Sequence, residues 1–209
     1  MMNGLVLEAC VETLEDALLA EKNGADRIEL CGDLSVGGIT PSRLLTNSCL
    51  ASLKIPIMAM VRPRGGNFVY SENEQVEMEA SIAFFKDAGV AGVVFGFLDE
   101  DNEVDIERTK HLVELAKPLL VTFHKAIDDT SDPVAAIKKL AQISGIQRVL
   151  TSGGQATALE GAETMKAMHE AAGRDGISIL AAGKVTRDNL LEVHAAVGAK
   201  EYHGKRIVF

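Results

Sequence analysis

No basic cluster interrupts the acidic balance of this chain, whose formal net charge is −9. That argues against nucleic acid and against an anionic membrane surface as partners. No apolar run approaches the ~20 residues of a membrane span. The amino-terminal stretch MMNGLVLEACVETLEDALLAE has no basic n-region, so it does not read as a secretory leader. Cysteine is scarce. Cys10, Cys31 and Cys49 form no CxxC and no pairable pattern, which is the usage expected of a cytoplasmic protein with reduced thiols. Walker and dinucleotide fingerprints are absent. No linker, low-complexity tract or composition shift divides the 209 residues, so one domain over 1–209 is expected. What is present is apolar: hydrophobic residues make up 47% of the chain, enough for a sizeable core.

Apolar runs of strand length begin at Leu5, Arg27, Ile55, Gly92, Leu119, Arg148, Ile177 and Lys200. Each start follows the last by 22 to 37 residues, a βα-unit spacing rather than a hairpin spacing. Helical patterns fill the gaps. Thr13 can cap LEDALLAEKNG, which stops at Gly24. Thr40 can cap a helix opening at Pro41. Ser71 and Glu74 have capping-box spacing. Val104–Ala116, Asp132–Gln142, Thr157–Ala171 and Thr186–Ala196 show apolar residues at three- and four-residue intervals. Eight near-continuous Val/Ile/Leu strands with seven helices predict an α/β fold, a (β/α)8 TIM barrel lacking a final eighth helix. An open doubly wound sheet is the alternative. The barrel is preferred because polar residues end nearly every strand. An uncovered stretch of outer wall favours a homo-oligomer, a dimer or a tetramer.

Active sites of such barrels lie where the strands end. Two strands end in Glu-x-Cys: LEAC (7–10) and IELC (28–31). Alternate residues of a strand share a face, so Glu8 with Cys10, and Glu29 with Cys31, should look the same way. The thiols are either core packing or a clasp for a soft ion such as Cu(I). Met58 and Met60 are possible soft neighbours, and Cys49 reads as helix packing. Two acids in buried strands need partners. Arg62 and Arg64 of VRPRGG are the candidates, either in a structural ion-pair lattice or as a clamp for a small anionic substrate. His124 could act as a general base oriented by Asp128, with His203 at the matching end of the eighth strand. Thr151, Ser152, Gly153 and Gly154 form a turn that could bind phosphate through backbone N–H groups. Lys184 in AAGK could pair with a phosphate or form a Schiff base. SVGGITPS (35–42) runs toward a helix start that favours an anion. His111, His169 and His194 fall in expected helices and read as surface residues.

LEAC, GADRIELC, LSVGGITPS, VRPRGGNFVYS, GVVFG, VTFHKAID, RVLTSGG and EYHG together resemble the CutC family of copper homeostasis proteins over almost the whole chain. The resemblance implies a cytoplasmic (β/α)8 barrel, often oligomeric, associated with copper. It makes Cys10 and Cys31 the candidates for Cu(I), and places Glu8, Glu29, Arg62, Arg64, His124, Asp128, Thr151, Ser152 and His203 in family motifs. The chain departs from the family pattern at HKAID, where HRAFD is usual, and at the AAGK turn, where Lys184 argues against a phosphate cradle. Family members also tend to run longer past the final strand. Two functions remain open from the sequence: copper homeostasis through Cu(I) binding at paired cysteines, or acid–base chemistry by Glu8, Glu29 or His124 on a small anionic, possibly phosphorylated, metabolite held by Arg62 and Arg64. A non-enzymatic scaffold is third.

Overall fold

The computed structural model describes residues 4–173 and 176–209. Eight strands close into a parallel barrel in chain order. They are β1 (Val6–Val11), β2 (Arg27–Leu30), β3 (Ile57–Met60), β4 (Gly92–Phe95), β5 (Leu120–Phe123), β6 (Ile146–Thr151), β7 (Ser178–Ala181) and β8 (Glu201–Gly204). Seven helices cover it: α1 (Leu14–Lys22), α2 (Arg43–Ser52), α3 (Glu72–Ala88), α4 (Ile106–Ala116), α5 (Pro133–Leu140), α6 (Ala162–Ala172) and α7 (Leu190–Val197). No helix follows β8 among the described residues, as the strand count predicts. None of the described helices is long and apolar enough to cross a membrane.

Strand alternation splits the core. Outward residues such as Ala9, Ile28, Ala59, Val93 and Phe123 join the layer under the helices. Inside the barrel, Cys10, Cys31, Met58, Met60 and Val94 form one apolar cluster, and Leu150, Leu180 and Ala182 another. Below them the interior is charged. Arg27 bridges Glu8 and Glu201, Ser178 donates to Glu201, and Arg148 donates to Thr122. Buried charges persist where they are paired in this way.

Several helix starts differ from the sequence reading, each for a local reason. Ser42, not Thr40, caps α2, because the Thr40 hydroxyl is engaged with the backbone of Arg62. α6 begins after Gly161 rather than at Thr157. The Thr157 hydroxyl instead accepts from Glu160 N in a preceding turn, and Gly161 presses so close to the Ser152 carbonyl that a Cβ would lie 1.8 Å from it. Thr186 and Asn189 likewise close a turn on each other before α7. The capping box of Ser71 and Glu74 forms as read. His111 and His169 are exposed, but His194 is half-buried and bonded to the Tyr202 hydroxyl at 2.8 Å, which corrects its surface assignment.

Candidate functional site

The strand register sets Cys10 beside Glu29, and Glu8 beside Arg27 on one side and His203 on the other. Alternation turns all of them inward. Cys10 Sγ lies 4.0 Å from Cys31 Sγ. Both thiols reach one carboxyl oxygen, Glu29 Oε2, at 3.2 and 3.5 Å. His203 stands between the two acids: its Nδ1 is 2.8 Å from Glu8 Oε1, and its Nε2 is 3.7 Å from Glu29 Oε2. The two Glu-x-Cys strands therefore build one cluster, in which Cys10, Glu29 and Cys31 each offer a ligand atom within 4.8 Å of the others.

Burial and neighbours drive these groups to different protonation states. Burial would raise the Glu8 pKa, but the hydrogen bond from His203 and the Arg27 guanidinium bring it down to about 2. Burial and the charge of Cys10 push Glu29 well above the ordinary carboxylate range. The hydrogen bond from Cys31 draws Cys10 far below a free thiol against the pull of burial, and His203 adds to the effect. Cys31 is pushed up by the same contact and by burial. Burial opposes a charge on His203, yet Glu29, Cys10 and Glu8 raise its pKa well above 6.5. The cluster is therefore polarised: Glu8 and Cys10 lean toward their anionic forms, Glu29 and Cys31 toward their protonated forms, and His203 toward the imidazolium.

The arginines do not meet these acids. Glu8 is held by Arg27, which the sequence reading passed over. The signal was there: Arg27, Glu29 and Cys31 are spaced at two and share a strand face. Arg62 is buried and donates to the carbonyls of Val36, Gly38 and Gly66, with its guanidinium 4.8 Å from the Phe68 ring. Arg64 turns away to Glu74 at 2.5 Å and to the carbonyls of Gly65, Asn67 and Val69. The two arginines thus form no joint clamp.

His124 is not oriented by Asp128. Its Nδ1 accepts from Ala126 N at 3.2 Å, its ring packs 4.7 Å from that of Phe68, and burial with the nearby Arg62 charge brings its pKa down to about 3. The proton therefore sits on Nε2. Asp128 instead fills the turn expected to hold a phosphate. Its carboxylate accepts from Ser152 N and Gly154 N, each at 2.9 Å, and from the Thr151 hydroxyl, and it pairs with Lys125. Gly153 N bonds the Thr151 hydroxyl. The anion that these donors bind is the chain's own.

A cavity of about 470 Å³ opens over the cluster at the barrel mouth. Cys10, Glu29, Met60, Arg62, His124 and His203 line it, with Leu150 and residues after β7 and β8. Fold and site together define a (β/α)8 barrel with a thiol–carboxyl–imidazole cluster under an open mouth. Within that class the chain belongs to the CutC family, whose model matches residues 5–208. It is 44% identical over 201 residues to the human copper homeostasis protein cutC homolog, covering 96% of this chain and 73% of that protein. It is 40% identical over 198 residues to a CutC family protein of Enterobacter sp., covering 95% and 78%. A crystal structure of CutC from Streptococcus agalactiae superposes with a TM-score of 0.90 at 33% identity, covering 97% of this chain and 99% of that one.

Proposed function

We propose that this chain serves copper homeostasis by binding Cu(I) through the thiolates of Cys10 and Cys31. The observation that carries the reading is the 4.0 Å separation of the two sulfurs. It is less than twice a metal–thiolate bond of about 2.3 Å, so one ion can touch both without moving the strands. Thiolates with a thioether close by are the soft donors that favour Cu(I), and Met60 packs in the same cluster. Cys10 already leans to the thiolate form that a metal requires. The Glu29 carboxyl holds both sulfurs in place as a hydrogen-bond partner, the outer support that metal ligands commonly have. Cys10 lines the cavity, which supplies the path of entry. The family name of the relatives agrees, and reduced thiols belong in the cytoplasm.

The test is an anaerobic Cu(I) competition titration against a chromogenic chelator. The parent should withhold about one ion per chain, and the Cys10→Ser/Cys31→Ser double variant should withhold none. Equal loss of copper from both would assign the cysteines to packing. A second reading, acid–base chemistry on a small anion, is favoured by a different observation. Glu29, His124 and His203 line a cavity large enough for a metabolite. Turnover that survives in the double cysteine variant would select it.

A further inference from the structure

The mouth cavity has a charge pattern that the thiol site does not use. Arg62, Lys125, Lys184, Lys205 and Arg206 line it, against one carboxyl, Glu29. The chain has 30 acidic and 21 basic side chains, so the cavity inverts the sign of the protein around it. Lys125 is neutralised by Asp128. The other four cations form no ion pair among the described residues.

Their placement follows from the strand order. In a closed ring of eight, β3 and β7 stand opposite each other. Arg62 follows β3, while Lys184 follows β7 and Lys205 and Arg206 follow β8. The cations therefore occupy two facing walls. On the first wall Arg62 is 6% exposed, and its charge meets three carbonyl dipoles and the face of Phe68, with no ion pair among the described residues. Buried charges are ordinarily paired, because leaving water uncompensated costs several kcal/mol. His124, from the end of β5, is 3% exposed, and its Nε2–H has no protein partner among the described residues. On the second wall Lys184 has a left-handed backbone with φ 56°, and its ammonium makes no hydrogen bond among the described residues. That conformation costs a non-glycine residue roughly 1–2 kcal/mol. Strain of this kind gathers at ligand clamps. Between the walls the surface is apolar, with Met60, Leu150 and Ala182.

We propose that this cavity binds an organic phosphate with a carboxylate at its far end, the phosphate against Lys184, Lys205 and Arg206 and the carboxylate toward Arg62 and the His124 N–H. Several uncompensated cations suit a phosphate better than a single carboxylate. The apolar strip between the walls suits a short hydrocarbon spacer. Binding stands independently of copper and of any catalysis.

The test is calorimetry on the metal-free protein at low salt with 4-carboxyphenyl phosphate, phenyl phosphate and benzoate. The bifunctional probe should bind at least about tenfold tighter than either half, the factor expected of one added charge-assisted contact. Lys184→Gln/Arg206→Gln changes exposed side chains and should weaken both phosphates. Arg62→Met should bring the bifunctional probe down to the level of phenyl phosphate and leave phenyl phosphate unchanged. Cys10→Ser/Cys31→Ser should still bind the bifunctional probe more tightly than either half, which separates this site from the copper reading. No binding of the bifunctional probe, or binding indifferent to the Lys184/Arg206 change, overturns the proposal even if Arg62→Met does not fold.

Discussion

Asp128→Asn removes one charge and almost no volume. The carboxylate accepts on both oxygens: Thr151 and Gly154 N on one, Ser152 N and Lys125 on the other. An amide can satisfy only one side. Whichever way it is flipped, its NH2 faces an obligate donor, Gly154 N on one side or Ser152 N with the Lys125 ammonium on the other, and the bonds that remain are no longer made to a charge. A hydrogen bond to a charged group contributes about 1.5–3 kcal/mol net, and the Lys125 ammonium is too exposed to add much. Two such bonds lost, with partial relaxation, give a destabilisation of about 2–4 kcal/mol. In a domain of this size that lowers Tm by an amount on the order of 10 °C. Urea unfolding at pH 7 reads the free energy directly. The pH dependence sharpens the test. Burial pushes the Asp128 carboxyl up, but the Lys125 charge and the surrounding donors bring it below its ordinary 3.8. A depressed carboxylate stabilises the fold fully above its unfolded pKa and loses that contribution as pH falls through the folded value. The gap between parent and variant should therefore hold from pH 7 to 5 and close below 3.8. A variant within about 0.5 kcal/mol of the parent at pH 7 would refute the internal-anion assignment of this turn, because substitutions at sites without such a role fall in that range. So would a gap that widens in acid.

Arg27→Met should destabilise by about 3–5 kcal/mol in urea, since Glu8 and Glu201 both lose their guanidinium in the barrel interior. In the parent, the part that Glu8 contributes should persist above its ordinary 4.5 and fade toward pH 2, as acid unfolding would show. Gly96→Ala should cost about 1–3 kcal/mol, because a Cβ there would lie 2.6 Å from His124 Nδ1 and 2.8 Å from Cε1. The His124 ring resonance should not move between pH 5 and 8, since burial holds that imidazole neutral down to about 3. A midpoint near 6.5 in the NMR titration would contradict its placement.

The barrel was legible because its cause is local and repetitive. Apolar runs at βα spacing and caps such as Ser71–Glu74 need no long-range knowledge. The meeting of Cys10, Glu29 and Cys31 was legible for the same reason, since period-two alternation on adjacent strands settles it. What was hidden depends on competition. Arg62 and Arg64 stand two residues apart at a strand end, yet one lies over Phe68 and the other is taken by Glu74 from the first turn of α3. Arg27 outcompetes both for Glu8 because it is the register neighbour. Asp128 follows His124 by four residues, but intervening helical backbone carries its carboxylate to the β6 turn. Lys184 is marked by its strand-end position, but Lys205 and Arg206 look like ordinary surface cations until ring closure places all three across the mouth from Arg62.

Asp128 is, in effect, a tethered ligand. A carboxylate on the same chain reaches the Thr151–Gly154 turn at an effective concentration fixed by a short, folded connection, with no translational freedom left to lose. Free phosphate or chloride meets those N–H groups as a bimolecular competitor and starts far behind. The β6 side of the mouth is thus insulated from the ionic composition around it. Among the described residues, three cations without an ion pair on the β7–β8 side against one, Arg62, on the β3 side give the mouth an electrical polarity, and an entering anion has a built-in direction in which to lie.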